Sequence, residues 1–238
     1  MRNVAPLTQR ELAASFLSPI AYVVGCVFLL FTGYYFVTQV LVPGNEASMR
    51  PLFAAMTGIL VFAVPLLTMR AVAEEFSTGT IETLMTAPVT DAEVILGKFF
   101  GVLALYAAML ATTIPHLLMM MAYSQPQLGV VLFSYVGMLL IGALYISVGL
   151  FASCCTRHQL LAAVIGMGIL SIFTFLVDYF ADFAGPKVRG VLMYVNVPAH
   201  FDEFTKGILD TKSLVFFVST TVFFLFLATK VLESKRWR

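Results

Sequence analysis

The sequence predicts an all-α integral membrane protein with six transmembrane helices, and two observations carry that prediction. Of the 238 residues, 60% are hydrophobic and 11% are charged, less than half the charge of an average soluble domain (about 25%). The apolar residues also come in long runs free of Asp, Glu, Lys and Arg, and a helix needs about 20 such residues to cross the hydrocarbon. At a mean hydropathy of +0.94, a water-soluble globule cannot cover its apolar surface, which excludes an ordinary soluble enzyme. A net charge of +1 without a basic stripe excludes a nucleic-acid binder. Disorder needs a chain poor in hydrophobes. An outer-membrane barrel needs segments of about 10 residues alternating with period two.

The elements follow in chain order. Thr8 and Glu11 fit a capping box, which predicts a short helix to about Leu17, ending before Ser18-Pro19. Its narrow apolar face of Leu12, Ala13, Phe16 and Leu17 either lies on the inner membrane surface or extends the first span. That span covers about residues 19–42. It exceeds the 7–15 residues of a signal-peptide core, and no small-x-small cleavage site follows it. The second span covers 51–69 and is followed by the loop 70–98. From Phe99 to Thr156 no residue is charged, and the polar, proline-marked turn 123–127 divides the run into spans 99–122 and 128–155. The fifth span covers 159–177 and the sixth 214–229.

Between them lies the outer segment 178–213. After Pro198, the residues Phe201, Phe204, Thr205 and Ile208 follow i, i+3, i+4, i+7 spacing, with Gly207 near the end. This predicts a short amphipathic helix that either dips into the outer leaflet or rests on the bundle. Lys and Arg concentrate in the segments on the side of both termini, among them Arg2, Arg10, Arg70, Lys98, Arg157, Lys230 and Lys235. The short loops of the opposite side hold only Arg50. Both termini are therefore expected in the cytoplasm.

Motifs of chemistry are mostly missing. Gly97-Lys98 is followed by Phe99, so there is no phosphate loop and no nucleotide hydrolysis by that route. Cys26, Cys154 and Cys155 build no disulfide framework. The string Cys154-Cys155-x-x-His158 lacks the second ligand cluster that a tetrahedral zinc site needs. His200-Phe201-Asp202-Glu203 reads as the polar face of the amphipathic helix. His116 is the one ionisable side chain inside a span. It either handles a proton or substrate, or it serves the backbone that Pro115 disrupts. The spans hold no Asp or Glu, which ion-coupled transport normally needs. Gly97-x-x-x-Gly101 permits close helix packing.

The loop 70–98 is the informative segment, with five of the thirteen acids. Gly79 interrupts the helical pattern, Thr80 can cap a short helix Ile81–Met85, and Pro88 ends it. Thr90-x-x-Glu93 is a capping box that starts the third span. An ordered acidic loop of this kind is either a docking surface or a solvated connection.

Here a resemblance enters. Glu74-Glu75-x-x-x-Gly79-Thr80-Ile81-Glu82-Thr83-Leu84, followed by Thr86-Ala87-Pro88-Val89 and then Gly97-Lys98, resembles the coupling region of ABC-2-type transporter permeases. Phe16–Tyr22 and Val197–Asp210 resemble the gliding-motility-associated branch, which commonly has Ser where His200 stands. The resemblance implies six helices per subunit and pairing with a second permease copy or paralogue. It implies two cytoplasmic ABC ATP-binding subunits that bind ATP and Mg, while this chain binds no cofactor. It further implies a bacterial cytoplasmic (inner) membrane location and, in this branch, an auxiliary membrane protein with a large extracytoplasmic domain. Glu74, Glu75 and Glu82 would then meet basic groups on the ATPase, Ile81 and Leu84 would fill its groove, and Gly79 and Thr80 would form the elbow. Pro198, His200, Phe201, Phe204 and Ile208 would belong to a re-entrant outer hairpin. The permease would serve export or mechanical work on an envelope partner. The rival reading is an ion-coupled secondary transporter or channel using His116.

Overall fold

The computed structural model describes residues 4–41, 48–79, 89–123, 126–183, 186–208 and 210–236, and these form helices without a strand. Helix α1 (Val4–Phe16) begins one turn before the expected cap at Thr8. Pro6 sits in its first turn, where a missing N–H costs nothing. Thr8 is thus inside the helix, and its Oγ1 donates to the Val4 carbonyl at 2.9 Å.

The first span is α2 (Pro19–Tyr35), continued by a π turn, Phe36–Val40. The second is α3 (Arg50–Thr68). An elbow at 69–72 leads into the short α4 (Ala73–Thr78), which stops at Gly79 with φ 74°, the left-handed conformation that glycine adopts without strain. The third span opens with α5 (Asp91–Ala111), and both halves of its capping box are present: Thr90 Oγ1 accepts from the Glu93 N–H, and Glu93 Oε2 from the Thr90 N–H.

The third span is not one helix, as 99–122 would have been. It breaks at Thr112-Thr113 and resumes as α6 (Ile114–Tyr123). Pro115 explains the break, since it cannot donate a helical hydrogen bond and its ring clashes with the preceding turn. The two threonine hydroxyls bond to the carbonyls of Met109 and Leu110 at 2.5 and 2.7 Å.

The fourth span, α7 (Leu128–Cys155), has the bounds read from the sequence. The fifth is α8 (Gln159–Ser171) with a π turn, Ile172–Leu176. Three short helices follow, α9 (Val177–Phe183), α10 (Pro186–Tyr194) and α11 (Val197–Thr205), and then the sixth span, α12 (Thr211–Arg236). Among the described residues, six helices or helix pairs are long and apolar enough to cross a membrane.

The core centres on α7, against which α3, α5, α8, α11 and α12 pack. Its small residues allow the approach. A Cβ at Gly142 would lie 2.0 Å from the Tyr106 ring of α5, and one at Gly149 would lie 2.1 Å from Thr68 Oγ1 of α3. Polar groups are satisfied within the bundle: Tyr106 donates to the Met138 carbonyl at 2.8 Å, and the Tyr145 and Thr174 hydroxyls meet at 2.7 Å. The outer faces of α2, α8 and α12 expose Leu30, Phe31, Leu160, Val164, Val222 and Phe223, as a lipid-facing surface requires.

Candidate functional site

All six spans bring their terminal-side ends together, because α1, the α3–α4 elbow, the start of α5 and the ends of α7 and α12 meet on one face of the bundle. This terminal face holds the acidic region singled out by the sequence. Helix α1 reaches it by lying across α5 at Gly97 and Gly101. A Cβ at Gly97 would lie 2.6 Å from Leu7 Cβ, and one at Gly101 would lie 2.7 Å from Glu11 Cβ. The close approach carries Glu11 onto Lys98.

Lys98 is 3% exposed. Its Nζ donates to Glu11 Oε1 at 2.7 Å and to Glu75 Oε1 at 2.8 Å. Arg10 adds a second cation at 3.6 Å from Glu75 Oε1, which balances the two carboxylates. Taking such charges out of water is costly, and only close partners offset the cost. The knot therefore fixes α1, α4 and α5 to one another.

Three further contacts fasten α4. Ser153 of α7 is fully buried; its Oγ accepts from the Val72 and Ala73 N–H groups at 3.1 and 3.0 Å and donates to the Met69 carbonyl at 3.1 Å. One hydroxyl thus serves both sides of the elbow. Arg70 grips Glu74 with two hydrogen bonds of 2.8 and 2.6 Å and reaches Ser18 Oγ at 3.3 Å. Lys235 of α12 donates to the Cys154 carbonyl at 2.7 Å and stands 4.4 Å over the Phe76 ring, a cation–π contact.

The sequence-predicted residues therefore divide. Glu74, Glu75 and Gly79 come together at α4, but the two glutamates are engaged by Arg70 and Lys98 of the same chain. Thr80, Ile81, Glu82 and Leu84 lie outside the described residues. Lys98, Glu11, Ser153, Arg70 and Lys235 were not singled out as site residues by sequence reasoning. Lys98 did carry a signal: it lies two turns inside the helix opened at Thr90, ahead of a long charge-free run, where a cation needs carboxylates.

Between α1, the start of α2, the end of α3, α4 and α5 lies a cavity of about 420 Å³. Its lining combines charged side chains, among them Arg10, Glu75 and Arg70, with aliphatic ones, among them Ile20, Leu66 and Leu105.

On the opposite face, Asn196 caps α11 by accepting from the Ala199 N–H at 3.1 Å, with Pro198 in the first turn. Phe201 and Phe204 are buried, 3.0 Å from a Cβ at Gly137 of α7, so this helix rests on the bundle. Ile208 does not share their face. Gly207, at φ 77°, ends the helix after Thr205, and Ile208 beyond it is 56% exposed. His200 stacks on Phe216 at 4.3 Å, with Nδ1 2.9 Å from Ser213 Oγ and Nε2 3.0 Å from the Tyr194 carbonyl. Ser213 in turn donates to Glu203 Oε2, so these groups tie α10, α11 and α12 together. Lys206, bonded to Asp202 at 2.5 Å, holds the Asp202 carboxyl below the usual carboxylate range. Arg50 Nε donates to the Thr205 carbonyl at 2.9 Å and joins α11 to α3.

Within the bundle, His116 packs edge-on to Phe36 at 4.9 Å, with Nδ1 3.3 Å from the Thr113 carbonyl. It sits at the helix break that Pro115 creates. Among the described residues, no group of three His, Cys, Asp or Glu side chains could hold a metal ion, and the three cysteines are free.

The site thus holds one short helix by ion pairs and hydrogen bonds to several spans. The family description "ABC-2 family transporter protein" matches residues 9–236, from α1 to the end of α12. No curated protein matches the chain. A six-span bundle with a fastened acidic elbow and a family match over nearly its whole length lead to one conclusion: the chain belongs to the ABC-2 transporter family, as a membrane permease component of an ABC transporter.

Proposed function

We propose that this permease converts ATP hydrolysis by separate ATP-binding subunits into movement of its spans, for export or for mechanical work on an envelope partner. The observation that carries the reading is the fastening of α4. Lys98, Ser153 and Lys235 connect it to α5, α7 and α12, and Arg70 ties it through the elbow to Ser18 at the start of α2. A push on the chain beyond Gly79 therefore tilts a helix that cannot move alone. The Lys and Arg asymmetry supports a cytoplasmic terminal face in the inner membrane.

In this reading ATP and Mg sit in the ATP-binding subunits. Thr80, Ile81, Glu82 and Leu84 meet that partner, whereas Glu74 and Glu75 act behind the contact and hold α4 to the bundle. The gliding-motility branch, a second permease copy, an auxiliary envelope protein and a re-entrant outer hairpin remain implications of the sequence resemblance. The packed setting of His116 favours a structural role over ion coupling.

The test is co-purification with the ATP-binding subunit, together with ATP hydrolysis in lipid. Glu82→Ala should weaken the contact. Gly79→Val should do the same by straining a left-handed residue. Ser153→Ala should leave co-purification intact while lowering hydrolysis. Wild-type co-purification and hydrolysis in all three variants would sink the proposal.

A further inference from the structure

Glu75 uses one oxygen for two cations, since Lys98 and Arg10 both face Oε1. Its Oε2 is buried and, among the described residues, has no hydrogen-bond partner. A buried carboxylate oxygen without a donor is costly. The residue lines the cavity of about 420 Å³ under α1, so a donor in the cavity reaches Oε2 once the carboxylate turns toward it.

The lining narrows the ligand. Arg10, Arg70 and Lys98 pair with Glu11, Glu74 and Glu75, so the charged part of the lining is balanced and suits a zwitterion better than an anion. Arg10, whose side chain is 63% exposed, offers a guanidinium at the rim, a group suited to phosphate. Ile20, Leu66, Leu67, Val102 and Leu105 supply aliphatic lining. The cavity lies beside Pro19, Thr68 and Lys98, where three spans leave the apolar core. That is the depth of a lipid headgroup.

We infer that this cavity binds a phospholipid with a primary ammonium headgroup, phosphatidylethanolamine, from the leaflet on the terminal face. The carboxylate of Glu75 turns toward the cavity so that its otherwise closed Oε2 accepts from the ammonium; the phosphate meets Arg10, and the acyl chains run along Ile20 and Leu105. A trimethylammonium headgroup has no N–H to donate, and a glycerol headgroup has no positive charge. Binding stands on this geometry alone. Its consequence, that leaflet composition acts on the α4 joint, rests on the coupling role.

The test needs no ATP-binding subunit. The full-length protein is delipidated in detergent and titrated with phosphatidylethanolamine, phosphatidylcholine or phosphatidylglycerol, with bound lipid counted by native mass spectrometry. The expected result is one phosphatidylethanolamine, held about tenfold or more tighter than the other two, as one charge-assisted hydrogen bond provides. Glu75→Gln should abolish the preference. Ala14→Trp, which keeps every charged group and fills the cavity mouth, should lose the lipid. It also keeps the test open should Glu75→Gln not fold, which size-exclusion elution reports. Glycerophosphoethanolamine, the headgroup without chains, should not displace the lipid at equal concentration. Equal binding of the three lipids by the wild type, an undiminished preference in a folded variant, or displacement by the bare headgroup would each overturn the proposal.

Discussion

At the scale of single residues, two side chains carry unusual burdens. Lys98 is buried between two carboxylates, and removing one partner of such a group leaves uncompensated charge. Lys98→Ala should lower unfolding stability by about 3–5 kcal/mol, read as a shift in the denaturant midpoint in micelles. The triple variant Lys98→Met, Glu11→Gln, Glu75→Gln removes both signs together and should lose less. Ser153 serves two N–H groups and one carbonyl with a single hydroxyl. Ser153→Ala should cost about 1–3 kcal/mol and speed hydrogen exchange at the Val72 and Ala73 amides. An unchanged exchange rate there would show that the elbow does not depend on Ser153. These roles were only partly legible in the sequence. Glu75 was visible as one acid of an acidic loop, but Glu11, the other carboxylate on Lys98, lies 87 residues before it, and no local pattern joins them. Ser153 reads as one small residue in an apolar run.

At the scale of elements, the spans were legible because each is a charge-free run bounded by turn residues, and α7 matches its expected bounds. Less legible were ends set by competition. Thr8 is a good cap, but the turn before it accepts Pro6. Gly207 stops α11 before Ile208, although apolar spacing continues past it. Which face of α11 turns inward depends on Gly137 of another helix. The glycine pair of α5 was read as a packing surface, and the structure supplies its partner, α1. Gly97→Leu with Gly101→Leu should lift α1 away. Limited trypsin digestion should then cut at Arg10 faster than in the wild type, and the thermal midpoint should fall because Lys98 loses Glu11. Equal protection would mean that α1 is held by its ion pairs alone. Gly142→Ala tests the core, since its Cβ would lie 2.0 Å from the Tyr106 ring. Such overpacking should cost about 1–3 kcal/mol, read as a lower thermal midpoint.

At the scale of the whole molecule, six spans place both termini on one face, and the structure assembles its ion-pair knot there. The charge asymmetry of the sequence predicts the orientation, and that prediction has a direct test. With Cys26, Cys154 and Cys155 replaced by Ala, single cysteines at Gly79 and Thr211 should label from opposite sides. An impermeant maleimide on intact cells should reach position 211 and not position 79. The reverse pattern would invert the topology and move the α4 joint outside, away from any ATPase.

The knot at Lys98 also has a consequence for biosynthesis. Glu11 and Glu75 both precede Lys98 in the chain, so the cation leaves the ribosome after its two counterions exist. At roughly 5–20 residues per second, α1 waits some seconds for the helix it will lie against. Its carboxylate faces water until then, and only afterwards is it drawn into place. Docking of α1 is thus a late event that marks the third span as seated, and a chain truncated before residue 98 should leave α1 undocked and open to protease.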